Sequence, residues 1–419
     1  TLYGGNAWSG FSGNGGWTFK TKAAPTVNTT VSVSNNISSS ADFFSVYGAM
    51  AAVAAKTSGT YEIQIEPGTY YELISIQSKG ANIILKGTGT AQYGSDVVIE
   101  YVNNVYLASL MGTGYTGMAQ RASFSFSGSD LTLENVTLKN LTARKTSYSY
   151  TGKYYDTSLT KSVSDGDVQA ETLLFTGSHF LNAYNSSFVS KQDTLYTEGK
   201  VWFYGCHIEG DVDFIWGKSD VALFENCDIK CVYDSQSNGT AYILETRVGS
   251  QNTSSIGKGY VLFNSSVTVD SGATVYYARR ASAADTSNNY YDQSALVNVT
   301  FTATPHAAHY NSSKEPYALT GTLYGDYADV GWKEYNVTVN GTAVDTTNRY
   351  TKSAVITASE YTAEYSGRRP ILNRYYDITN TAYARDTTSN FAVDKLISER
   401  GYTVAADLSA ETAAGRSTE

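Results

Sequence analysis

The sequence contains few of the residues that support metal, redox or nucleophilic-triad chemistry. Its 419 residues include 3 cysteines and 4 histidines. The histidines form no HExxH or similar spacing, and no GxSxG motif is present, so we predict neither a metal centre nor a serine–histidine triad. Two of the histidines stand close together in TATPHAAHYNSS, but without acidic partners, which favours ordinary loop residues. The histidines are His179, His207, His306 and His309.

Long apolar runs and basic stretches are also missing. No apolar run is long enough to cross a bilayer, so we predict no membrane span. The formal net charge is −9 and no basic stretch stands out, which argues against a nucleic-acid-binding protein. The chain begins at Thr1 rather than at a methionine, so we expect a mature form from which any targeting signal has been removed.

Proline is scarce, whereas tyrosine and glycine are abundant. There are 5 prolines against 35 tyrosines and 36 glycines, and serine, threonine and asparagine are plentiful. This mixture is typical of an all-β protein with many turns. With 42% hydrophobic residues, the chain can bury a sizeable core in one large β domain or two ordinary ones.

The N-terminal part predicts a single early helix. Residues 1–41 are rich in Gly, Asn, Ser and Thr and are typical of an extended arm or a pair of edge strands. In residues 44–56, apolar side chains recur at helical spacing and Gly59 follows, which predicts a short helix. The apolar positions are Val46, Met50, Val53 and Ala54.

A short element recurs from residue 81 onwards, in which a small residue or Asn stands three positions before an apolar residue. Between the best-kept copies the step is 20 to 21 residues. A repeat of this period indicates stacked coils that bury their inner faces against one another. We therefore predict a parallel β-helix; a jelly roll is the alternative, but it does not explain the fixed step. The copies are ENVTL (134–138), YNSSF (184–188), YGCHI (204–208), ENCDI (225–229), FNSSV (263–267) and VNVTF (297–301).

The same step brings polar residues together. Gln192 follows Gln169 by 23 residues and Asp213 follows Asp193 by 20, so each interval is about one coil. Residues one coil apart stack at about 4.8 Å, which places these side chains on neighbouring rungs of one face.

Two cysteines are related by the same step. Cys227 follows Cys206 by 21 residues, which predicts adjacent rungs within reach of a disulfide and leaves Cys231 over.

Each of these polar positions also has an ordinary structural explanation. Asp193 fits a turn, and Gln169 and Gln192 fit a stacked amide ladder. Asp213 is harder to explain in this way, because it lies in an otherwise apolar run where a lone carboxylate is costly. Two stacked carboxylates also repel each other, so a purely structural sheet would avoid the pair.

Several motifs in this region resemble those of the right-handed β-helix pectin methylesterases (pectinesterases, carbohydrate esterase family 8). KQDTLY at 191–196 is similar to the family's GYQDTLY, and GDVDFIWG at 210–217 is similar to GxVDFIFG. GTYYE at 68–72, VQAETLLF at 168–175 and the segment beginning YILETR at residue 242 resemble further family motifs in the same order. The resemblance covers roughly residues 42–340 and implies a right-handed parallel β-helix.

One family motif is altered. The family's LGRPW is expected near residue 279, where this chain has YARRA. Arg279 stands at the family Arg, Arg280 at the Pro and Ala281 at the Trp, so a tryptophan that helps to hold the sugar is absent from this position. Trp216 replaces a Phe of the family and partly compensates, or it only fills the coil.

The resemblance implies a mechanism without metal or organic cofactor. Asp213 is the implied nucleophile, and Asp193 is the implied general acid and then general base. Gln169 and Gln192 are implied to stabilise the oxyanion with their amide N–H groups. Arg279 is implied to pair with Asp213 and keep it ionised while Asp193 holds the proton.

The implied substrate is methylated homogalacturonan (pectin), whose C6 methyl ester is hydrolysed to pectate and methanol. A groove of Arg247, Arg279 and Arg280 is expected to bind free carboxylates, while aromatic residues stack on sugar faces. Arg280 is as readily explained as an ordinary solvated charge. The expected substrate-binding residues are Arg280, Trp216, Tyr196, Arg247 and Tyr70.

Two alternatives to this function stay open at this point. The first is a β-helix esterase or thioesterase acting on another substrate, and the second is an inactive carbohydrate-binding β-helix protein. We expect a secreted or cell-surface monomer, because the polymer lies outside cells and the cysteine pair fits an oxidising compartment. The predicted organisation is an arm (1–41), a β-helix domain (42–345) and a C-terminal extension packed on it (346–419).

Overall fold

The described chain in the computed structural model contains more strand than helix, and most of the strands are parallel. The model describes residues 27–109, 117–142, 147–152, 155–162, 169–248, 255–280, 293–302, 331–347, 349, 353–377, 379–380, 382–386 and 393–407, without the side chains of 109, 119, 147–162, 236 and 280. These strands form three long sheets that run side by side along one axis.

Each sheet takes one strand from nearly every coil. Sheet 1 has, in spatial order, Thr30–Val33, Thr60–Ile65, Asn82–Gly87, Leu131–Glu134, Phe180–Tyr184, Lys200–Tyr204, Val221–Glu225, Gly259–Phe263, Gln293–Val297, Gly331–Tyr335 and Ser353–Val355. Sheet 2 has Gly68–Tyr71, Val97–Tyr101, Thr137–Asn140, Ser187–Val189, His207–Gly210, Asp228–Cys231, Ser266–Val269, Thr300–Phe301, Thr338–Val339 and Thr342–Ala343. Sheet 3 has Thr274–Arg280, Thr240–Thr246, Ile215–Gly217, Leu195–Thr197, Leu173–Thr176, Phe124–Ser127 and Ile74–Gln77.

Along the chain the strands pass from sheet 1 to sheet 2 to sheet 3 and then begin the next coil in sheet 1. All pairings within the three sheets are parallel except the last one of sheet 2. Lys200 pairs with Val221, and Leu195 pairs with Ile215, so the coil step is 21 and 20 residues at these points. The predicted parallel β-helix is confirmed.

The recurring Asn element forms the turn between sheets 1 and 2. In each copy the Asn or Gly has a positive φ, for example 46° at Asn185, 59° at Gly205 and 50° at Asn264. Gly adopts this left-handed conformation freely, and Asn tolerates it better than most residues. The Asn side chains also bond from coil to coil: Asn185 Nδ2 donates to Asn135 Oδ1 at 2.8 Å. The repeat therefore reports a turn whose backbone selects Asn or Gly.

The predicted early helix is present as α1, Val46–Ala54. Its four predicted apolar residues are all buried, and the Ser45 side chain accepts a hydrogen bond from the Gly48 N–H at its start. Two short helices, α2 (Val105–Ser109) and α3 (Met118–Arg121), lie before the Phe124–Ser127 strand. No helix in the described ranges is long and apolar enough to cross a membrane.

A C-terminal segment covers the outer face of sheet 1. It contains α4 (Ala358–Glu360), a π-helical turn (Tyr361–Tyr365), α5 (Arg368–Asn373) and α6 (Val393–Arg400). Its apolar side chains pack with those of the sheet, including Ile371 and Leu372 against a cluster that contains Trp202 and Leu223. Buried ion pairs join the same surfaces: Arg368 donates to both carboxylate oxygens of Glu225, at 2.5 and 2.9 Å.

Smaller elements complete the described chain. Ser255–Ile256, Arg374–Asp377 and Ala382–Arg385 form a three-stranded antiparallel sheet, and Ser147–Gly152 pairs with Tyr155–Ser162 as a hairpin. Gln92–Gly94 and Ser235–Ser237 form 3₁₀ turns.

The predicted disulfide is wrong in this structure, because Cys206, Cys227 and Cys231 are all free and buried. Cys206 and Cys227 do lie on neighbouring coils. However, their thiols donate to main-chain carbonyl oxygens, that of Cys206 to Tyr204 at 3.5 Å and that of Cys227 to Glu225 at 3.5 Å. Burial and the neighbouring Cys206 thiol raise the pKa of the Cys227 thiol, so the two side chains meet, as the spacing predicted, without being bonded. The cysteines therefore give no support to a secreted location.

Candidate active site

Asp193 and Asp213 occupy equivalent places in successive coils. Each lies two residues before a strand of sheet 3, and these strands pair in register at Leu195 and Ile215. Both aspartates have a left-handed backbone, with φ of 64° and 53°. Asp tolerates this conformation better than most residues, so one turn geometry, repeated one coil later, sends both carboxylates to the same side.

The two carboxylates line one cavity of about 460 Å³ on the outside of sheet 3. Asp193 and Asp213 are 4% and 5% exposed, so both are almost completely removed from water. Besides the two aspartates, the cavity is lined by Met118, Arg121, Gln169, Gln192, Trp216, Glu245, Arg247 and Arg279. The 20-residue step thus predicted the meeting of the aspartates and the two glutamines.

Arg279 binds Asp213 through both of its carboxylate oxygens. Its Nε donates to Oδ1 at 2.5 Å, and its Nη2 donates to Oδ2. Although burial lowers the pKa of Arg279, the charge of Asp213 raises it above its usual value. A bidentate contact of this kind is the strong form of a charge-assisted hydrogen bond. The structure thus contains the contact that the resemblance implied and that spacing alone did not place.

Asp193 has no guanidinium of its own, because it shares Arg121 with Glu171. Arg121 lies at the end of α3; its Nε donates to Glu171 at 2.7 and 2.9 Å, and its Nη2 lies 3.3 Å from Asp193 Oδ2. Burial and the charge of Glu171 raise the pKa of Asp193 well above its usual value, more than Arg121 lowers it, and Asp213 adds to the rise. Asp193 is therefore the aspartate whose surroundings favour the protonated form.

The two glutamines differ in how firmly their amides are oriented. Gln169 Oε1 accepts a hydrogen bond from Arg121 Nη1 at 2.6 Å, which fixes the amide with its N–H₂ group directed away from that guanidinium. The buried Oε1 of Gln192 has no hydrogen-bond partner among the described residues. Both side chains border the cavity, but only the amide of Gln169 is held by a charged donor.

Trp216, Glu245 and Arg247 form a second side of the cavity, which we call the Trp216 wall. Trp216 and Glu245 pair in register on neighbouring strands of sheet 3, and Glu245 pairs in turn with Arg279. Arg247 donates to Glu245 Oε1 from Nε at 3.2 Å and from Nη2 at 3.0 Å, and its guanidinium lies 5.1 Å from the Trp216 ring. Burial and the charge of Asp213 raise the pKa of Glu245 to about 7.

Of the predicted substrate-binding residues, some line the cavity and others lie beneath it or in the core. Trp216 and Arg247 line the cavity as expected. Tyr196 is fully buried beneath Trp216, with ring centroids 4.6 Å apart, and its hydroxyl donates to Glu198 at 2.7 Å. Its predicted role in binding sugar is therefore corrected to supporting Trp216.

Tyr70 also lies outside the cavity. It is 2% exposed in the core, and its hydroxyl donates to the Glu66 carbonyl at 2.8 Å. The prediction of a sugar contact for Tyr70 is corrected to a core role, because its apolar ring points inward from a strand of sheet 2. The Arg280 side chain and Ala281 lie outside the described residues.

Sequence reasoning missed three charged residues of the site, namely Arg121, Glu171 and Glu245. Glu171 in QAETLLF and Glu245 in YILETR are acids inside apolar strand segments, which is the signal that singled out Asp213. That signal would have found both. Arg121 lies on a four-residue helix outside the coil repeat, so no spacing predicts its position. The described residues contain no group of three or more His, Cys, Asp or Glu arranged to hold a metal ion.

Comparisons with known proteins agree with the family resemblance of the sequence motifs. A family model described as Pectinesterase matches residues 30–364. Pectinesterase 31 of Arabidopsis thaliana is 28% identical over 249 residues, which cover 58% of this chain and 66% of that protein. Pectinesterase 2 of the same plant is 27% identical over 194 residues, which cover 45% of this chain and 27% of that protein. The matched region therefore spans between about a quarter and two thirds of the length of these relatives.

Solved structures share the fold. A pectin methylesterase from carrot matches with a TM-score of 0.60 at 19% identity, covering 84% of this chain and 95% of that one. A pectin methylesterase in complex with a hexasaccharide matches with a TM-score of 0.58 at 22% identity, covering 82% and 96%. At these identities the likeness shows a common parallel β-helix architecture.

Proposed function

The chain belongs to the pectinesterase family, and from this premise we propose that it hydrolyses the C6 methyl ester of polygalacturonate, releasing methanol. The observation that carries the proposal is that two neighbouring buried carboxylates have different charged groups beside them. Asp213 has a bidentate guanidinium, whereas burial and Glu171 raise the pKa of Asp193. One acid is thus suited to attack as an anion and the other to donate a proton.

In the first half of the reaction, a carboxylate oxygen of Asp213 bonds to C6 and the carbonyl electron pair moves to the carbonyl oxygen. The resulting oxyanion lies within reach of the amide N–H groups of Gln169 and Gln192. Loss of one such donor typically costs about 3 kcal/mol of transition-state stabilisation. When the tetrahedral intermediate collapses, the C6–methoxide bond breaks and the leaving oxygen takes the proton of Asp193, which yields methanol and an aspartyl acyl-enzyme.

In the second half, Asp193 acts as a base. It takes a proton from water while the water oxygen attacks C6, and the bond between C6 and Asp213 breaks. Asp213 is regenerated as a carboxylate beside Arg279, Asp193 is again protonated, and the uronic acid ionises in solvent. The two acids thus return to their starting charges. The fixed positions of Arg279 and Arg121 favour this distribution of charge at the start of each cycle.

The proposed substrate and location follow from the same premise. One matched structure is a pectin methylesterase in complex with a hexasaccharide, which is consistent with a polymeric uronate as substrate. Because pectin is a cell-wall polymer, we propose that the protein acts outside the cell, as a monomer and without a cofactor. Trp216 borders the cavity with 4% of its surface exposed, and it is the aromatic residue that we propose to contact the sugar in place of the tryptophan that the altered YARRA segment lacks.

The direct test is methanol release from highly methylated homogalacturonan by the parent and by Asp213→Asn. Asn keeps the size of the side chain and tolerates the left-handed backbone, so the variant removes mainly the charge. The matched control is Asp228→Asn on sheet 2, which removes a half-buried carboxylate paired with His207 at 2.8 Å, outside the cavity. We expect release by the parent and by the control, and loss of release in Asp213→Asn.

The acyl-enzyme needs its own measurement. Hydroxylamine added during turnover should intercept an acyl-enzyme and give a galacturonate hydroxamate in place of part of the acid. Methanol release without hydroxamate would keep the esterase and contradict the covalent route. Absence of methanol from a folded parent would contradict pectin as the substrate and direct the search to another ester.

A further inference from the structure

The guanidinium of Arg121 joins three side chains of the candidate site. It binds Glu171 from Nε at 2.7 and 2.9 Å and from Nη2 at 2.5 Å. Its Nη1 donates to Gln169 Oε1 at 2.6 Å, and its Nη2 lies 3.3 Å from Asp193 Oδ2. Glu171 is 0% exposed and lies behind the cavity that Gln169 and Asp193 line. Glu171 therefore does not touch a substrate in the cavity and can act on it only through its neighbours.

Arg121 decides which end of the Gln169 amide is directed away from it. A guanidinium has donors and no acceptor, so the amide atom that meets Arg121 Nη1 must be the oxygen. A neutral amide or a water in that place would allow both orientations, because each can donate and accept. The main chain of Gln169 is anchored as well, since its carbonyl accepts a hydrogen bond from the Val105 N–H at 3.2 Å. The N–H₂ group is therefore the end of the amide that the site offers to a substrate oxygen.

Two buried asparagines fix the position of Arg121, which the coil repeat does not set. Asn103 Nδ2 donates to the main-chain carbonyls of the residues on either side of Arg121, at 2.7 and 2.9 Å. Asn140 Nδ2 donates in turn to the carbonyls of Asn103 at 2.8 Å and of Glu171 at 3.0 Å. Asn103 and Asn140 are 5% and 3% exposed. The main chains that carry the Arg121–Glu171 pair are thus joined by one buried amide network.

We propose that Glu171 is a positioning residue: by fixing Arg121, it turns the N–H₂ group of Gln169 toward the oxyanion of the reacting ester. This inference rests on the proposed function, because the reaction of the ester defines where the oxyanion forms. An oriented donor acts mainly on the charge that develops in the transition state, so the pair should raise kcat more than it lowers KM. Glu171 also raises the pKa of Asp193, but that effect changes with pH, whereas the orientation of an amide does not.

The test is a double-mutant cycle of methanol release with the parent, Glu171→Gln, Gln169→Ala and the double variant. The quantity compared is the limiting kcat, the pH-independent value from the full pH–rate profile, so a shifted limb of Asp193 does not enter it. Gln169→Ala should lower the limiting kcat by about 10²–10³-fold, the usual effect of one oxyanion donor. Glu171→Gln should lower it by about tenfold, because Arg121 then meets a neutral acceptor in place of a carboxylate. In the Gln169→Ala background, Glu171→Gln should have no further effect on it.

Two further variants separate the proposal from a general structural effect. Arg121→Lys keeps a positive charge, but a single ammonium cannot reproduce the planar fork that bonds Glu171 and Gln169 together. It should lower the limiting kcat at least as much as Glu171→Gln does, and this loss should also disappear in the Gln169→Ala background. Glu209→Gln is the matched control, because its carboxylate is partly buried and paired with Lys230 at 3.1 Å on sheet 2, outside the cavity. It should leave both kcat and KM as in the parent.

Additive losses in the cycle would overturn the proposal, because a Glu171→Gln variant that lowers the limiting kcat equally with and without the Gln169 amide acts elsewhere. A limiting kcat that stays at the parent value in both Glu171→Gln and Arg121→Lys would overturn it too. With an active parent, either result contradicts this inference and leaves the proposed function standing. A folded parent that releases no methanol contradicts the function, and the inference falls with it, because no ester then defines an oxyanion.

Discussion

Replacing Arg368 by Met should destabilise the whole fold, because it leaves a buried carboxylate without its cation. Arg368 is 3% exposed; it donates to Glu225 at 2.5 and 2.9 Å and to the Ala405 carbonyl at 2.7 Å. Glu225 is 3% exposed on sheet 1 and, among the described residues, would keep the indole N–H of Trp202 as its donor, at 3.0 Å. Removing one partner of such a pair typically costs about 3–5 kcal/mol.

That loss is a large part of the unfolding free energy of about 5–15 kcal/mol that a protein commonly has. Urea unfolding followed by tyrosine and tryptophan fluorescence measures it directly. The matched control is Lys395→Met, because the Lys395–Glu399 pair has side chains 56% and 62% exposed and should contribute about 0.5 kcal/mol or less. Adding Glu225→Gln to Arg368→Met should recover most of the loss, since it removes the unpaired charge.

The result that refutes this reasoning is an Arg368→Met protein within about 1 kcal/mol of the parent. It would mean that the C-terminal segment does not dock on sheet 1 as the structure has it. It would also contradict the prediction from the sequence that the C-terminal extension packs on the β-helix. Limited proteolysis gives a second reading, because a loosened segment is cleaved before the coils unfold.

Three further perturbations have distinct expected outcomes. Asp193→Asn should lower methanol release by about 10²–10⁴-fold, the usual share of a general acid. The pKa of Asp193 is raised in the folded state. The parent therefore loses stability as the pH rises from the pKa of the unfolded chain, about 4, through the pKa of the folded protein. Thermal unfolding should show that the variant is more stable than the parent at about pH 8 and equally stable at about pH 3. Glu171→Gln leaves Arg121 to Asp193 alone, so the alkaline limb of the pH–rate profile should move to lower pH; an unmoved limb would contradict the shared guanidinium. Asn185→Ala should lower the free energy of unfolding in urea by about 1–3 kcal/mol, because Asn185 has a φ of 46° and the variant loses two hydrogen bonds. Asn185→Gly should lower it less, because Gly adopts a positive φ freely. The reverse order would contradict the role of Asn185 in the turn.

The parallel β-helix was predictable because the coil is a repeat that leaves a signal in the sequence. The Asn of ENVTL or YNSSF marks a left-handed turn, and that turn must recur once per coil. A period of 20–21 residues then gives the stacking of any two positions without knowledge of their contacts. Asp193 and Asp213 were found together for this reason, and so were the two glutamines.

The residues that the repeat does not govern were beyond prediction from spacing. Arg121 lies on a short helix outside the coils, and Arg279 lies 66 residues after Asp213, so only the family resemblance paired the latter with its acid. The period did bring Cys206 and Cys227 together on adjacent coils, although both thiols are free in the structure. Tyr70 was assigned by motif, and its inward direction on the strand decided its role.

The different roles that we propose for the two aspartates follow from the number of charged groups beside each one rather than from their own positions. Their backbones are nearly the same, with φ of 64° and 53°, and both are almost fully buried. Asp213 forms an ion pair with one guanidinium, Arg279, which bonds it through both carboxylate oxygens, so the pair is neutral when the acid is ionised. Asp193 and Glu171 meet one guanidinium between them, so their group becomes neutral only when one proton is kept.

Glu171 has the shorter contacts to Arg121, with Nη2 at 2.5 Å against 3.3 Å for Asp193, and it lies behind the cavity. The proton is therefore favoured on Asp193, the acid that lines the cavity. Burial strengthens this effect, because a charge that is removed from water without a counter-ion has a high free-energy cost. A single residue that sequence spacing cannot place, Arg121, thus underlies the different roles that we propose for two aspartates with nearly the same backbone conformation.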